Sequence, residues 1–404
     1  MRYLTLDLDE DERELIQENK IEQKKTINRE LARARKESKQ EKCKYCGKET
    51  TSFCNSHTLP AFCLRNIANE GKVLITNALV GFPLIDEEKG VNNAGTFQLI
   101  CRDCDSKIFQ EYEDPENYKE KPTNEMLAQI AMKNSLRYIG KRQYEYAIFD
   151  LPIFGNGATN IFGVNLDDVL DEIEAKSFNK YNKELDEMSD FLDFLKELQG
   201  VQKGLDIKEN MHISQELDLK ELEDSYQLAK NRALGIDKSQ YELVFYEKLN
   251  YVTPIAFQGQ IALIQDFNNE IINDKFCLDP EYKIMDLNIC IFPLKNETVV
   301  MIFMDSEYKE RYKNFCIQFD KLCLEEKLSV INYMIFLYSE DIFLSKKLGE
   351  EVLKNENLIE VAQTTEFAIN DLLFDSGEET EKETYNLNKH TNIPNLLSEE
   401  YKLR

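Results

Sequence analysis

Apolar residues recur in two rhythms along this chain, and the change of rhythm divides it. Residues 9–42 carry no Gly or Pro and are dominated by strong helix formers. Their apolar stripe is thin: Leu15, Ile16, Ile21, Ile27, Leu31 and Ala34. This predicts an exposed, charged helical arm. The segment from 43 to 113 reads as strand, turn, a short helix near 61–68, a Gly-containing loop and a strand ending at Ile100. A helix follows with Ile108, Phe109 and Tyr112 along one face, and another spans 124–140 with Met126, Leu127, Ile130, Ala131, Leu136 and Tyr138. From about 165 to 235 an acidic stretch keeps a helical rhythm at Leu166, Val169, Leu170 and Ile173, then at Phe191, Leu192, Phe194, Leu195 and Leu198.

The period then changes. YELVFYEKL, TPIAFQGQIALIQDF, MDLNICIFPL and ETVVMIFMD are β-branched and aromatic runs separated by turn residues, which predicts an antiparallel sheet of about four strands. Helices resume at 308–322 and 325–344, the second so rich in Ile, Leu, Phe and Tyr that it belongs in a core. Beyond Asp375 the sequence is polar and Pro-containing, as in a flexible tail or a loose strap. Five segments follow: a charged helical arm (1–42), a cysteine-bearing domain (43–150), an acidic helical segment (151–235), an α+β domain (236–374) and a flexible tail (375–404). At 404 residues the chain calls for at least two cores.

Charge refines this division. The net charge is −25, which repels phosphate backbones at long range and excludes a generic polyanion binder. Residues 20–48 nevertheless hold eleven Lys or Arg against four Glu, a balance of +7 that leaves −32 elsewhere. Any contact with DNA or RNA is expected on this basic helix; otherwise its charges are a solvated face paired with the acidic body. No stretch has the length of apolar sequence a membrane helix needs, and the N-terminus is acidic where a secretory signal would be basic then apolar, so a cytosolic protein without membrane contact is expected.

Ten cysteines sharpen the picture most. CKYCG at 43–47 and CRDCD at 101–105 are two C-x2-C knuckles, each able to present two thiolates on one side of a tight turn, and Gly47 lets the first turn close. Lys44, Arg102 and Asp103 surround them with charge, unlike inert buried thiols. Cys43, Cys46, Cys101 and Cys104 are therefore predicted to hold one structural zinc ion in a treble-clef type module. Cys54, Cys63, Cys277, Cys290, Cys316 and Cys323 read as ordinary core thiols. The expected fold class is thus α+β: an N-terminal helix, a zinc-bound ββα module, a helical middle and a C-terminal α+β domain with an antiparallel sheet.

His57 lies between the knuckles in Ser56-His57-Thr58-Leu59-Pro60. Together with the two knuckles this arrangement resembles the treble-clef HNH (ββα-metal) nucleases over about 65 residues. The resemblance implies that His57 is the general base for phosphodiester cleavage, and that a catalytic Mg²⁺ or Mn²⁺ is gripped by Asp105 on the final helix. The sequence departs from that pattern in three places. Ser56 stands where an acid is usual, and Thr96 lies near the position of the middle Asn, with Asn92 and Asn93 as substitutes. Phe109 falls where a second ligand would share the face of Asp105, leaving Glu111 or Glu113 to reach round. The other reading of His57 is a structural hydrogen-bonding residue. His212 and His390 have no Cys or acidic partners at ligand spacing, and no phosphate-binding, dinucleotide or H-E-x-x-H motif occurs.

Two functions are consistent with these residues. One is an HNH-like metal-dependent endonuclease of the kind found among restriction and phage-defence effectors. The alternative is a non-catalytic, zinc-stabilised binding or regulatory protein acting through a protein partner or a second copy of itself.

Overall fold

The computed structural model describes residues 29, 32–34, 36, 38–80, 86–149, 205–274, 277, 282–364 and 383–403. Most of the expected 1–42 arm, and residues 151–204 of the acidic segment, lie outside them; of the described part of the arm, residues 29, 32–34 and 36 are helical and 38–42 are not. Strands are β1 (Ser56–His57), β2 (Lys72–Ile75), β3 (Glu88–Gly90), β4 (Thr96–Phe97), β5 (Tyr241–Leu249), β6 (Ile255–Ile261), β7 (Leu287–Pro293), β8 (Thr298–Asp305) and β9 (Phe343–Leu344). The helices used below are α1 (Ala61–Ile67), α2 (Arg102–Ile108), α3 (Gln110–Glu113), α4 (Asn124–Phe149), α5 (Leu205–Ala233), α6 (Lys313–Asp320), α7 (Leu324–Tyr338) and α8 (Glu356–Gln363).

The described residues fall into two compact units. In the smaller, drawn from 7–41 and 138–224, Ala34 and Ala147 are buried with Tyr144 against them, and Arg142 pairs with Glu145 at 2.7 Å and Asp218 at 3.3 Å. The larger, Lys42–Arg137 with Ser225–Arg404, carries the cysteine knuckles and the main core.

That core is organised by a seven-stranded antiparallel sheet of order β3-β2-β9-β6-β7-β8-β5. Alternation along each strand sends Ile255, Phe257 and Ile261, then Leu287, Ile289 and Ile291, then Val300, Ile302 and Met304 to one face. There they meet Val330, Ile331, Met334 and Ile335 of α7 and Phe315 and Phe319 of α6. The opposite residues are buried as well. Phe292 meets the Tyr118 ring edge-on at 5.6 Å, Asn288 accepts from Asn134 of α4 at 2.9 Å, and α1 lies across β6 and β7. Helices cover both faces, which is why the central strands are continuous apolar runs with little polar alternation.

Three of the strands fall outside the four expected. β2 and β3 come from between the two knuckles, so residues assigned to separate domains share one sheet. β9 lies within the stretch expected to be helical to 344. The helix stops at Tyr338, where Ser339 turns extended, and the polar Ser-Glu-Asp that follows makes a corner. Ile342 and Leu344 are then buried, and Phe343–Leu344 pair with both β2 and β6.

The C-terminal segment is also corrected. Residues 383–403 bury Leu387, Ile393, Leu396 and Leu397 in the main core. The fully buried Asn332 of α7 fixes them, donating to the Pro394 carbonyl at 3.0 Å and accepting from the Leu396 N–H at 3.2 Å. A polar surface had concealed a strap held by four apolar side chains.

Candidate metal centre

The first knuckle is a small closed loop. Cys43 N–H donates to the Lys48 carbonyl at 2.9 Å and Gly47 N–H to the Cys43 carbonyl at 2.8 Å, with Gly47 at φ 71°, a conformation that favours glycine. The second knuckle begins at Cys101, the extended residue that caps α2, and Cys104 follows in the first turn. Backbone contacts lace the two together: Lys44 N–H to the Leu99 carbonyl at 2.9 Å, Cys54 N–H to the Ile100 carbonyl at 2.9 Å, and Cys101 N–H to Cys43 Sγ at 3.3 Å.

As a result the four sulfurs of Cys43, Cys46, Cys101 and Cys104 lie within 4.8 Å of one another. Tetrahedral zinc with bonds of about 2.3 Å separates its sulfurs by roughly 3.8 Å, so the cluster fits that ion. Its acid–base chemistry fits too. Burial disfavours the Cys43 thiolate, yet the backbone N–H groups of Cys46, Cys101 and Tyr45 outweigh this and bring the thiol down to about 7. Burial raises Cys104, and its contacts with Cys101, Cys46 and Cys43 raise it further. A dication at the centre eases that conflict by attracting all four sulfurs and offsetting two of their negative charges. Among the described residues this is the one group of three or more His, Cys, Asp or Glu donors able to converge on an ion. The result is a four-cysteine metal-binding module of ββα type. Cys54 is no part of it: its thiol donates to Asp105 Oδ2 at 3.1 Å, and burial with the Asp105 charge pushes it up to about 11.

Asp105 and His57 lie beside this centre and point to different places. β1 is only two residues long, and its neighbours face opposite sides. The Ser56 hydroxyl donates to Asp105 Oδ1, whereas His57 Nε2 contacts the Val91 carbonyl at 2.8 Å. The third partner of Asp105 is a cation. Lys133, whose side chain is 1% exposed, reaches from α4 to place Nζ 3.1 Å from Asp105 Oδ1 and 2.7 Å from Glu113 Oε1. The same ammonium lies 3.9 Å over the Phe109 ring. Burial would raise the Asp105 carboxyl, but Lys133, with the hydrogen bonds from Ser56 and Cys54, holds it below its usual range.

Of the other residues considered as ligands, the side chains of Asn93, Thr96 and Glu111 have partners elsewhere. Asn55 holds the Asn92 carbonyl at 2.8 Å and Asn93 Oδ1 at 3.5 Å. Thr96 donates to the Asn93 carbonyl, and Asn117 donates to Glu111. Lys133 was not singled out from the sequence, although it carries a signal: a lysine three residues after Ile130 and three before Leu136, on the apolar face of an amphipathic helix, must bring a partner into the core. His390 bonds Ser329 through Nδ1 at 2.9 Å and fastens the strap, while the side chain of His212 lies outside the described residues. Among the described residues no helix is long and apolar enough to cross a membrane.

Compared with known protein families, with curated proteins and with solved structures, the chain matches none.

Proposed function

We propose that this chain is a zinc-stabilised, non-catalytic binding or regulatory protein whose ββα module is a scaffold for a protein partner. The observation that carries this reading is the engagement of Asp105. A carboxylate that grips a catalytic divalent ion needs free lone pairs directed at that ion. Here the oxygens accept from Ser56, Cys54 and Lys133, and the ammonium already supplies the local positive charge. A general base needs its imidazole within reach of the same ion and of a water. His57 is directed to the other side of β1, onto a backbone carbonyl. The charge of −32 outside residues 20–48 favours a basic protein surface as partner over a nucleic acid.

The HNH-like endonuclease, with restriction or phage defence as its setting and the basic helix as its DNA or RNA contact, is the competing reading. It is supported by the position of His57 between the knuckles and by two carboxylates, Asp105 and Glu113, near α2 and α3. One assay separates the two. Zinc-loaded protein is incubated with plasmid, single-stranded DNA and RNA in Mg²⁺, Mn²⁺ or Ni²⁺, beside a His57→Ala control. No His57-dependent cleavage is expected; cleavage by the wild type that the control lacks overturns the proposal.

A further inference from the structure

The two residues between the ligands of the first knuckle, Lys44 and Tyr45, each offer a backbone carbonyl to a side chain. Both carbonyls are taken by α5. Tyr226, 2% exposed, donates its hydroxyl to the Lys44 carbonyl at 3.4 Å. Lys230, one turn later on the same face, donates Nζ to the Tyr45 carbonyl at 2.8 Å and lies 4.5 Å from the Tyr45 ring centroid. The end of α5 is pinned independently two residues further on, where Arg232 meets Asp305 of β8 at 2.6 Å and its guanidinium lies 4.7 Å from the Tyr241 ring. Gly235, at φ 67°, closes the helix beyond it.

From this we infer that Lys230 and Tyr226 are the outer shell of the zinc centre, so that zinc binding and the docking of the last turns of α5 are thermodynamically linked. The physical case has two parts. Four thiolates around a dication leave two net negative charges, and Lys230 brings a positive charge to the backbone of the very loop that carries them. An ion that draws Cys43 and Cys46 together also adds a constraint, beyond the backbone hydrogen bonds of the knuckle, to the loop that presents the two carbonyls. Linkage is reciprocal: whatever zinc adds to the docking of α5, α5 returns to zinc affinity. Lys230 is thus a positioning residue that acts through Tyr45, and zinc occupancy is relayed to a helix that contributes no ligand. The inference rests on the four-cysteine site alone and is independent of whether His57 and Asp105 are catalytic.

The test uses the full chain and two readouts. Zinc affinity is measured by competition with a chromogenic chelator for wild type, Lys230→Met and Lys230→Arg. The Met variant is expected to bind zinc about 10- to 100-fold more weakly, the range for lost outer-shell partners, with Arg recovering part of the loss. Amide exchange is followed over 225–233 in zinc-loaded and chelator-treated protein, with β7 and β8 as the internal reference. Faster exchange in 225–233 on zinc removal, with β7 and β8 still protected, supports the linkage. Unchanged exchange in 225–233, or a Lys230→Met affinity equal to wild type, overturns it. Should removal of zinc open β7 and β8 as well, the affinity comparison on loaded protein decides alone: weaker binding by the variant supports the linkage and equal binding refutes it.

Discussion

Replacing Lys133 by Met is the sharpest perturbation of the charge centre, because it keeps the aliphatic stem and removes only the ammonium. In the wild type that ammonium is almost wholly removed from water and satisfies Asp105 and Glu113 together. Removing one member of a buried ion pair costs about 3–5 kcal/mol, since the charge left behind has lost its compensation. Two features place this site at the low end. The Glu113 side chain is 35% exposed and can rehydrate, and Asp105 keeps its hydrogen bonds from Ser56 and Cys54. A loss of about 3 kcal/mol is therefore expected, measured by urea unfolding of zinc-saturated protein at pH 7. The double variant Lys133→Met/Asp105→Asn removes both charges of that pair and should be more stable than the sum of the single losses by about 1–2 kcal/mol. The same centre sets an acid limit. Asp105 is held below its unfolded value of about 3.9, so its contribution is fully present above that pH and lost as pH falls through the folded value. Lys133→Met should lose the share of that acid-sensitive component that the ammonium supplies, leaving the share due to Ser56 and Cys54. A single-variant cost under about 0.5 kcal/mol, or a double variant no better than additive, would refute the reasoning.

Other consequences are equally accessible. Zinc bound by the four cysteines would join residue 43 to residue 104 and close a loop that delivers β2 and β3 to the sheet; a crosslink over that span stabilises by about 4 kcal/mol in the chain-entropy view, so chelation should lower the unfolding free energy by at least that much, and Cys43→Ala/Cys101→Ala should do the same without chelator. Leu396→Ala should cost about 2–5 kcal/mol in the same urea assay, whereas a free tail would lose almost nothing. Burial lowers the His390 pKa, with Glu326 opposing it, so protonation favours the undocked strap: stability is fully present above about pH 6.5 and declines as pH falls below it. Protection factors of the 387–397 amides, corrected for the slower intrinsic exchange at low pH, should fall between pH 7.5 and 5.5, and a His390→Gln variant should flatten that dependence.

The cysteine knuckles were legible because two C-x2-C pairs encode their geometry locally. Strands β6 to β8 were legible for a similar reason, since their apolar, β-branched and aromatic runs report burial on both faces, while β5 at the sheet edge was legible from its β-branched and aromatic residues although it is only half-buried. β9 was hidden by its neighbour: Phe343 and Leu344 continue the apolar run of α7, and only their pairing with strands distant in sequence makes them extended. β2 and β3 escaped the sheet count because β2 joins the sheet only by pairing with β9, where Leu74 meets the distant Leu344, and β3 joins only through β2. Of the two readings of the C-terminal segment, flexible tail or loose strap, the packed strap was hard to choose for want of density in apolar residues, four sufficing once Asn332 satisfies the backbone between them. At the candidate catalytic centre, the positions of His57 and Asp105 in the chain place both beside the knuckles, but their relation to each other is set by tertiary contacts. Strand alternation puts Ser56 on the side of Asp105, and the lysine that completes the centre comes from 28 residues further along the chain.

The occupancy of Asp105 is the pivot of the account, and divalent-ion binding tests it directly. Zinc-loaded wild type and Asp105→Asn are titrated with Mn²⁺ and bound ion is counted by electron paramagnetic resonance. With Lys133 filling the charge centre, the two proteins should bind Mn²⁺ alike. One Mn²⁺ per chain held by the wild type and lost in Asp105→Asn would contradict the account and restore the carboxylate to a metal-dependent active site.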